Sequence, residues 1–285
     1  MLKRAISTFV LWFALVGLLW KFGRPAAVLL TTVMAVLTQY EFYGMLARMG
    51  HRPFRRLGML LGAAMLLGSY AQRTIAPDFP ISGPGLMASL MALAVIACCI
   101  RILYERNPEQ RVDTLASTLF GIAYVPFMFH FLIEIFFLNK AAPNQGLMLV
   151  VWLVVVVKFC DTGALLVGTA IGRHKMSPTI SPKKSWEGLV GGVAVASLAG
   201  ALLVCFFGPR NLYPANFTVL RSAVAAVPIA LIGVVSDLVE SMIKRSADIK
   251  DSGKSVPGIG GAFDLTDSII LTAPAAYILF AYLLR

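Results

Sequence analysis

The sequence predicts an all-α, polytopic integral membrane protein with about nine transmembrane helices. Of its 285 residues, 58% are hydrophobic and only 14% are charged, whereas a soluble domain averages about 25% charged residues. The apolar residues form long runs instead of the alternating segments that a transmembrane β-barrel requires. Composition and run length together favour helices that cross a lipid bilayer.

Nine apolar windows are each long enough to cross a hydrocarbon layer of about 30 Å as a helix. Their approximate bounds are 5–22, 25–46, 57–75, 84–103, 113–138, 147–168, 186–208, 221–240 and 268–284. The first window is expected to be a retained span and not a signal peptide. It has no evident small-residue cleavage site, and Lys21 and Arg24 end it.

Basic residues are distributed unequally between the two sides of these windows. If the N-terminus is cytoplasmic, seventeen Lys and Arg lie in cytoplasmic segments and seven on the opposite side. The positive-inside rule therefore predicts an N-in, C-out orientation. The net charge of +11 then reflects loops beside anionic lipid headgroups, and no nucleic-acid partner is expected.

The chain is interpreted as a single integral membrane domain over 1–285. No tandem repeat is evident, and the longest polar loops are expected at 169–185 and 241–267. The four cysteines all lie in apolar stretches, and the three histidines are scattered. A zinc site or a Ser-His-Asp triad is therefore disfavoured.

The segment 236–268 concentrates charge beside apolar sequence, with six of the fourteen acidic residues and four Lys or Arg. Asp237, Glu240, Ser241 and Lys244 have helical spacing and form one polar stripe. A solvated face with ordinary salt bridges is the alternative explanation. Asp237, however, closely follows an apolar run, and a carboxylate at that depth needs a partner such as a bound cation.

Two further acids, Asp264 and Asp267, are expected to open the last window. A helix N-cap at Asp267 or Ser268 would explain one polar residue there, but not two acids three residues apart. Asp237 and Asp264 come from different helix ends and could converge on one divalent ion. Ligands that are all oxygen favour Mg²⁺ or Mn²⁺ over zinc.

Two loops have a composition suited to phosphate. The loop before Asp264 combines lysines with glycines, which let backbone N–H groups approach an anion closely. A plain turn would have the same composition, and the Walker A pattern is absent. Lys183 and Lys184 precede a helix expected to start near Ser185, which would make an anion site. A positive-inside loop with Ser185 as N-cap is the alternative.

Intramembrane charges elsewhere are open to more than one interpretation. Asp161 follows Lys158 at i+3, and a structural ion pair is as plausible there as a direct role in a site. Glu41 and Glu134 are lone acids within apolar windows, and packing or boundary roles are expected for both.

The order of these segments resembles that of the phosphatidate cytidylyltransferase family, also called CDP-diacylglycerol synthases. The resemblance covers about 158–270, whereas 1–150 resembles the family only as an apolar helical scaffold. The matching motifs are DTGA at 161–164, SPKKSWEG at 181–188, SDLVES at 236–241 and the signature that runs from Lys244 to Asp267.

The resemblance implies the reaction CTP + phosphatidate → CDP-diacylglycerol + pyrophosphate, in phospholipid biosynthesis. It implies Mg²⁺ as the cofactor, with Mn²⁺ as an alternative and a second, monovalent cation as an option. It also implies a homodimer in a bacterial inner membrane, with its active site facing the cytoplasm. The partners are then CTP, a lipid phosphate and membrane lipids.

The candidate site residues fall into four groups. The catalytic candidates are Asp237, Lys244, Lys250, Asp251 and Asp264. The phosphate-binding candidates are Lys183, Lys184, Ser241, Arg245, Lys254, Gly258, Gly260 and Gly261. The metal-ligand candidates are Asp237, Asp264 and Asp267, and the supporting candidates are Asp161 and Glu240.

Two departures from the family signature leave alternatives open. The usual PGHGG and DRxD have Ile259 in place of the histidine and Leu265 in place of the arginine. One alternative is a cytidylyltransferase that acts on another lipid phosphate, either a polyprenyl or an ether lipid. A separate alternative, which rests on the intramembrane charges and not on these departures, is an ion-coupled transporter. The clustering of motifs on one membrane face argues against a transporter.

Overall fold

The computed structural model describes residues 21–81, 84–105, 110–139, 142–253, 255–256 and 260–284. Within these residues the chain forms nine α-helices and one short β-hairpin. The predicted all-α membrane class is confirmed. The predicted first span, 5–22, lies outside the described residues except for its last two.

The helices are α1 Arg24–Arg48, α2 Arg55–Thr74, α3 Pro84–Leu103, α4 Arg111–Tyr124, α5 Pro126–Phe136, α6 Pro143–Ile171, α7 Trp186–Phe207, α8 Val219–Ser246 and α9 Ala262–Leu283. The strands are β1 Lys175–Ser177 and β2 Ser181–Ser185. A single 3₁₀ turn, Gly208–Arg210, follows α7.

Seven stretches of the described chain are long and apolar enough to cross a membrane. They are Arg24–Arg48, Gly85–Leu103, Arg111–Phe136, Asn144–Ile171, Trp186–Arg210, Val219–Ser246 and Ala262–Leu283. The third comprises α4 and α5, which are separated at Val125, directly before a proline that cannot donate a helical hydrogen bond. The predicted count of nine spans and the N-in, C-out orientation stay predictions.

Two helix ends differ from the sequence windows. Helix α8 continues to Ser246, which keeps the predicted polar stripe on a helix. Helix α9 begins at Ala262, six residues before the predicted start at 268, so that Asp264 and Asp267 lie within its first two turns. The N-cap interpretation of Asp267 and Ser268 is therefore wrong, because both residues are inside the helix.

The hairpin of β1 and β2 was not predicted, and it shapes the loop between α6 and α7. The strands are antiparallel and pair Lys175 with Ser185. The carboxylate of Glu187 accepts hydrogen bonds from the backbone N–H groups of Arg173 and His174, each at 3.2 Å. Ser185 is the N-cap of α7, as the sequence suggested, and its hydroxyl accepts from Gly188 N at 3.1 Å.

The chain forms two compact units, Met1–Ile133 with Ser246–Thr266 and Glu134–Arg245 with Asp267–Arg285. The interpretation of the chain as one domain, with a scaffold at 1–150 and a catalytic region at 158–270, stays a prediction. In the first unit, the hydroxyl of Tyr43 donates to Thr118 O at 2.8 Å. The buried ring of Phe42 packs against Phe263, with ring centroids 5.9 Å apart, and against Tyr43, at 6.4 Å.

In the second unit, α6 and α7 pack with their backbones close together. A Cβ atom at Gly192 would lie 2.7 Å from Cys160 O, and one at Gly188 would lie 2.8 Å from Ala164 O. Small residues at these positions allow the close approach that is common between membrane helices. Elsewhere in this unit, the buried Trp152 donates from its Nε1 to the hydroxyl of Ser222 at 2.8 Å.

Candidate active site

Three carboxylates come together at the ends of α8 and α9 in the second unit. Asp237 and Glu240 lie one turn apart on α8, and Asp267 lies on α9. One oxygen of each lies within 4.8 Å of the other two, which gives a group that could hold a metal ion. Glu240 and Asp267 are buried, and Asp237 is partly exposed. Buried carboxylates beside a membrane need compensating positive charge.

Two lysines supply part of this charge. Lys184 Nζ, at the end of β2, lies 2.6 Å from Asp237 Oδ2, and it also donates to Val234 O at 3.4 Å. Lys244 Nζ lies 2.6 Å from Glu240 Oε1, one turn along α8. The SPKKS motif and the SDLVES motif, which are distant in sequence, therefore meet in one site.

Lys158 of α6 adds a third positive charge. Its Nζ lies 3.8 Å from Asp267 Oδ1 and 3.9 Å from Asp161 Oδ2. The hydroxyl of Ser268 is 2.9 Å from Asp267 Oδ1 and 3.2 Å from Asp161 Oδ2, and it can donate to one of them at a time. The backbone oxygen of Asp267 accepts from the hydroxyl of Ser236. Asp161 is thus both an ion-pair partner of Lys158 and a neighbour of the cluster.

The chemistry of this donor set fits a hard divalent cation. The three clustered side chains offer only carboxylate oxygens, the ligands that Mg²⁺ and Mn²⁺ accept in proteins. Magnesium is commonly bound through one or two carboxylates together with substrate phosphates. Asp237 and Asp267 were predicted as metal ligands, and the geometry adds Glu240, which the sequence suggested only as a supporting residue.

Asp264 lies in the first unit, in the first turn of α9. Its carboxylate accepts a hydrogen bond from the backbone N–H of Ser252, at 3.1 Å from Oδ2. This bond holds the start of α9 to the preceding loop. The predicted sharing of one ion by Asp237 and Asp264 stays a prediction, because the two residues belong to different units.

The loop between α8 and α9, residues 247–261, is called the signature loop below, and Glu41 of α1 anchors it. The buried Glu41 carboxylate accepts from Ser252 Oγ at 2.8 Å and from Phe263 N at 2.9 Å, with Ser255 N at 3.4 Å. The sequence predicted only a packing or boundary role for Glu41. The one available signal was a lone acid inside an apolar window, since its partner Ser252 lies 211 residues away.

Two glycines of the signature loop make room for this carboxylate. A Cβ atom at Gly253 would overlap Glu41, and one at Gly261 would overlap the hydroxyl of Ser252 and lie 2.7 Å from Glu41 Oε2. A close approach was predicted from the sequence at Gly261 but not at Gly253. The group that approaches them is a carboxylate of the protein, whereas phosphate binding by Gly261 stays a prediction.

Replacing Gly261 with Ala is expected to lower the free energy of unfolding by about 1–3 kcal/mol, because the added methyl group overpacks a filled site. Gly68→Ala is the matched control, since its Cβ atom would meet only Leu90 at 3.7 Å. Thermal unfolding in detergent compares the two variants. Equal stability of both would contradict the close packing of Glu41 and Ser252 against Gly261.

The remaining predicted residues have less defined surroundings. Gly260 has a φ of 143°, a backbone conformation that favours glycine, and it pairs with Val256 through two backbone hydrogen bonds of 2.9 and 3.2 Å. Ser241 and Leu265 are half-buried. The exposed candidates are Lys183, Arg245, Lys250 and Asp251. Three positions lie outside the described residues, namely Lys254, Gly258 and Ile259.

Fold and site together define a polytopic helical membrane protein with a carboxylate and lysine site at the ends of its helices. The chain belongs to the cytidylyltransferase family, whose model matches residues 2–283. The resemblance found in the motifs is thereby confirmed.

Several relatives named phosphatidate cytidylyltransferase are similar to this chain. One from Haemophilus influenzae is 36% identical over 137 residues, which cover 46% of this chain and 45% of that protein. One from Staphylococcus saprophyticus is 35% identical over 193 residues, and one from Staphylococcus haemolyticus is 34% identical over the same length, each covering 68% of both chains. The matched region thus spans about half of the first protein and about two thirds of the others.

Proposed function

We propose that the protein transfers a cytidylyl group from CTP to phosphatidate. A phosphate oxygen of phosphatidate attacks the α-phosphorus of CTP and forms a new P–O bond. The bond from the α-phosphorus to the bridging oxygen of the β-phosphate breaks, and pyrophosphate leaves with the electron pair. The cluster of carboxylates and lysines carries this proposal, because it lies at the ends of membrane helices in a chain of the cytidylyltransferase family.

The attacking group needs little help from a general base. The second pKa of a phosphate monoester is about 6, so most of the phosphatidate is already doubly ionised at neutral pH. The replacement of the family histidine by Ile259 is therefore compatible with turnover. The harder tasks are neutralising the triphosphate, aligning the attack and stabilising the departing pyrophosphate.

Of the predicted Mg²⁺ ligands Asp237, Asp264 and Asp267, we propose that Asp237 and Asp267 hold the ion, with Glu240 adjacent. When bound, the ion would neutralise charge on the phosphates of CTP and on the leaving group. Mn²⁺ is the alternative ion, and a second, monovalent cation stays an option.

The lysines of the site would bind and orient phosphate. Lys184 and Lys244 each lie 2.6 Å from an acid of the cluster, which keeps their ammonium groups beside the position proposed for the triphosphate. Lys158 would hold Asp267 in place through the contact at 3.8 Å. Positive groups fixed before the reaction begins stabilise developing charge without reorganisation.

The membrane setting follows the same proposal. The apolar helices make the chain a membrane protein. We propose the bacterial cytoplasmic membrane as its location, with the site facing the cytoplasm, where CTP is made. We also propose a homodimer, as the resemblance implied.

The test is pyrophosphate release from CTP by the purified protein in detergent. We expect release to require both phosphatidate and Mg²⁺, and we expect labelled CTP to yield a labelled lipid. A polyprenyl phosphate offered in place of phosphatidate is the control for the acceptor. Absence of release with phosphatidate, from protein that circular dichroism shows to be folded, would overturn the proposal.

A further inference from the structure

A polar cavity of about 290 Å³ lies within the first unit, between the end of α1, the start of α2 and the signature loop. Its volume is close to the lower end of the range for ligand pockets, about 300–1,000 Å³. Its lining includes three charged side chains and two serines, namely Glu41, Arg48, Arg55, Ser252 and Ser255. None of them belongs to the cluster of carboxylates and lysines described above.

The charge of the lining is positive overall. Arg48 and Arg55 contribute two guanidinium groups, and Glu41 is the one acid. Both oxygens of Glu41 already accept hydrogen bonds from the signature loop and from Phe263 N. Among the described residues, neither arginine forms an ion pair. Both guanidinium groups therefore keep N–H donors for a ligand.

Arg55 is held in place for such a role. It is half-buried, and its Nη2 donates to Tyr43 O at 3.3 Å, near the end of α1. A guanidinium has five N–H donors in a planar fork, so this bond leaves the rest of the fork unused. The fork matches the geometry of phosphate oxygens and binds them through paired hydrogen bonds.

We infer that this cavity binds a phosphoryl group of a substrate, with Arg48 and Arg55 as its positively charged ligands. The identification of that group as a phosphate of CTP or of phosphatidate depends on the proposed function. Both arginines lie outside 158–270, the region that carries the motifs. The N-terminal part of the chain therefore takes part in substrate binding and is more than a scaffold.

The signature loop forms one wall of the cavity and is held in place there. Ser252 lines the cavity, and its hydroxyl and backbone N–H hold Glu41 and Asp264. A phosphoryl group in the cavity would therefore lie directly against the loop that the family signature defines. The two arginines alone would then position the substrate relative to that loop.

The test uses Arg48→Gln and Arg55→Gln in the full-length protein in detergent. The KM for CTP and the KM for phosphatidate are measured in separate titrations. We expect the KM of one substrate to rise roughly tenfold to a hundredfold, with a smaller change in kcat, because a hydrogen-bonded charge contact to phosphate is lost. The substrate whose KM rises is the one whose phosphate lies in the cavity. Arg55→Lys should restore only part of the loss, since lysine lacks the fork.

Arg52→Gln is the matched control, because Arg52 is exposed in the loop that joins α1 to α2, between Arg48 and Arg55, and does not line the cavity. We expect its KM values to equal those of the wild type. If Arg48→Gln and Arg55→Gln also match the wild type, the inference is wrong although the proposed function stands. If Arg55→Gln unfolds at a lower temperature, Arg48→Gln decides the question.

A calorimetric titration with inorganic pyrophosphate separates this inference from the proposed function. Even if the wild type releases no pyrophosphate from CTP, weaker binding to Arg48→Gln than to Arg52→Gln would support the phosphoryl site. Equal binding to both variants would overturn it.

Discussion

Replacing Asp237 with Asn is expected to reduce pyrophosphate release from CTP and phosphatidate by about 10²- to 10³-fold or more. The substitution keeps the shape of the side chain but removes the charge that faces Lys184 at 2.6 Å and that would hold a cation. The loss is comparable to that of a preorganised electrostatic group in other active sites. The protein should still fold, because Asp237 is partly exposed.

A second readout separates loss of the ion site from general damage. Mn²⁺ binding, followed by electron paramagnetic resonance, should weaken in Asp237→Asn and stay unchanged in Asp78→Asn, whose side chain is on an exposed turn. Asp264→Asn is also predicted to remove turnover. If it does so while Mn²⁺ binding is retained, the Asp264 carboxylate is needed for turnover without being required to bind the ion. Turnover of Asp237→Asn at the wild-type rate would contradict the assignment.

Replacing Glu41 with Gln is expected to destabilise the signature loop and to lower turnover by about a hundredfold or more. Ser252 Oγ and Phe263 N share one oxygen of the Glu41 carboxylate, so the amide oxygen of glutamine can still accept from both. The NH₂ group then faces Ser255 N and cannot accept from it, and the negative charge that strengthens all three bonds is lost. Hydrogen bonds to a charged acceptor contribute about 1.5–3 kcal/mol each, and this contribution falls when the acceptor becomes neutral. Thermal unfolding and amide hydrogen exchange across 247–261 measure the effect.

Glu105→Gln provides the matched control for this change. Glu105 lies 3.8 Å from Arg101 in a partly exposed ion pair, and such pairs contribute about 0–1 kcal/mol. We expect its stability and its exchange in the signature loop to match the wild type. Glu41→Gln with wild-type exchange across the loop would show that the loop does not depend on the carboxylate of Glu41.

Features that depend on composition and local spacing could be predicted from the sequence. The apolar windows predicted the helical membrane class, and the motif order predicted the family. Asp237, Glu240 and Lys244 were placed on one face because helical spacing alone determines that face. Their joint position at the site is consistent with that spacing.

Partners that are distant in sequence could not be predicted. Nothing in a single sequence specifies that Lys184 pairs with Asp237, or that Glu41 binds a loop 211 residues later. The start of α9 was missed because hydropathy counts polar residues against a helix, even where their hydrogen bonds are satisfied. Thr266, for example, is bonded to Thr38 at 2.9 Å.

The packing of α6 against α7 has a consequence for the lysines of the site. Lys158 is part of α6, and Lys184 lies two residues before α7. The backbones of α6 and α7 lie close together at Gly192 and Gly188. Bulk added at either glycine would push the two helices apart and move both ammonium groups at once. The small residues between α6 and α7 therefore set the distance between the two ammonium groups. A larger side chain there is expected to lower activity although it does not touch the site.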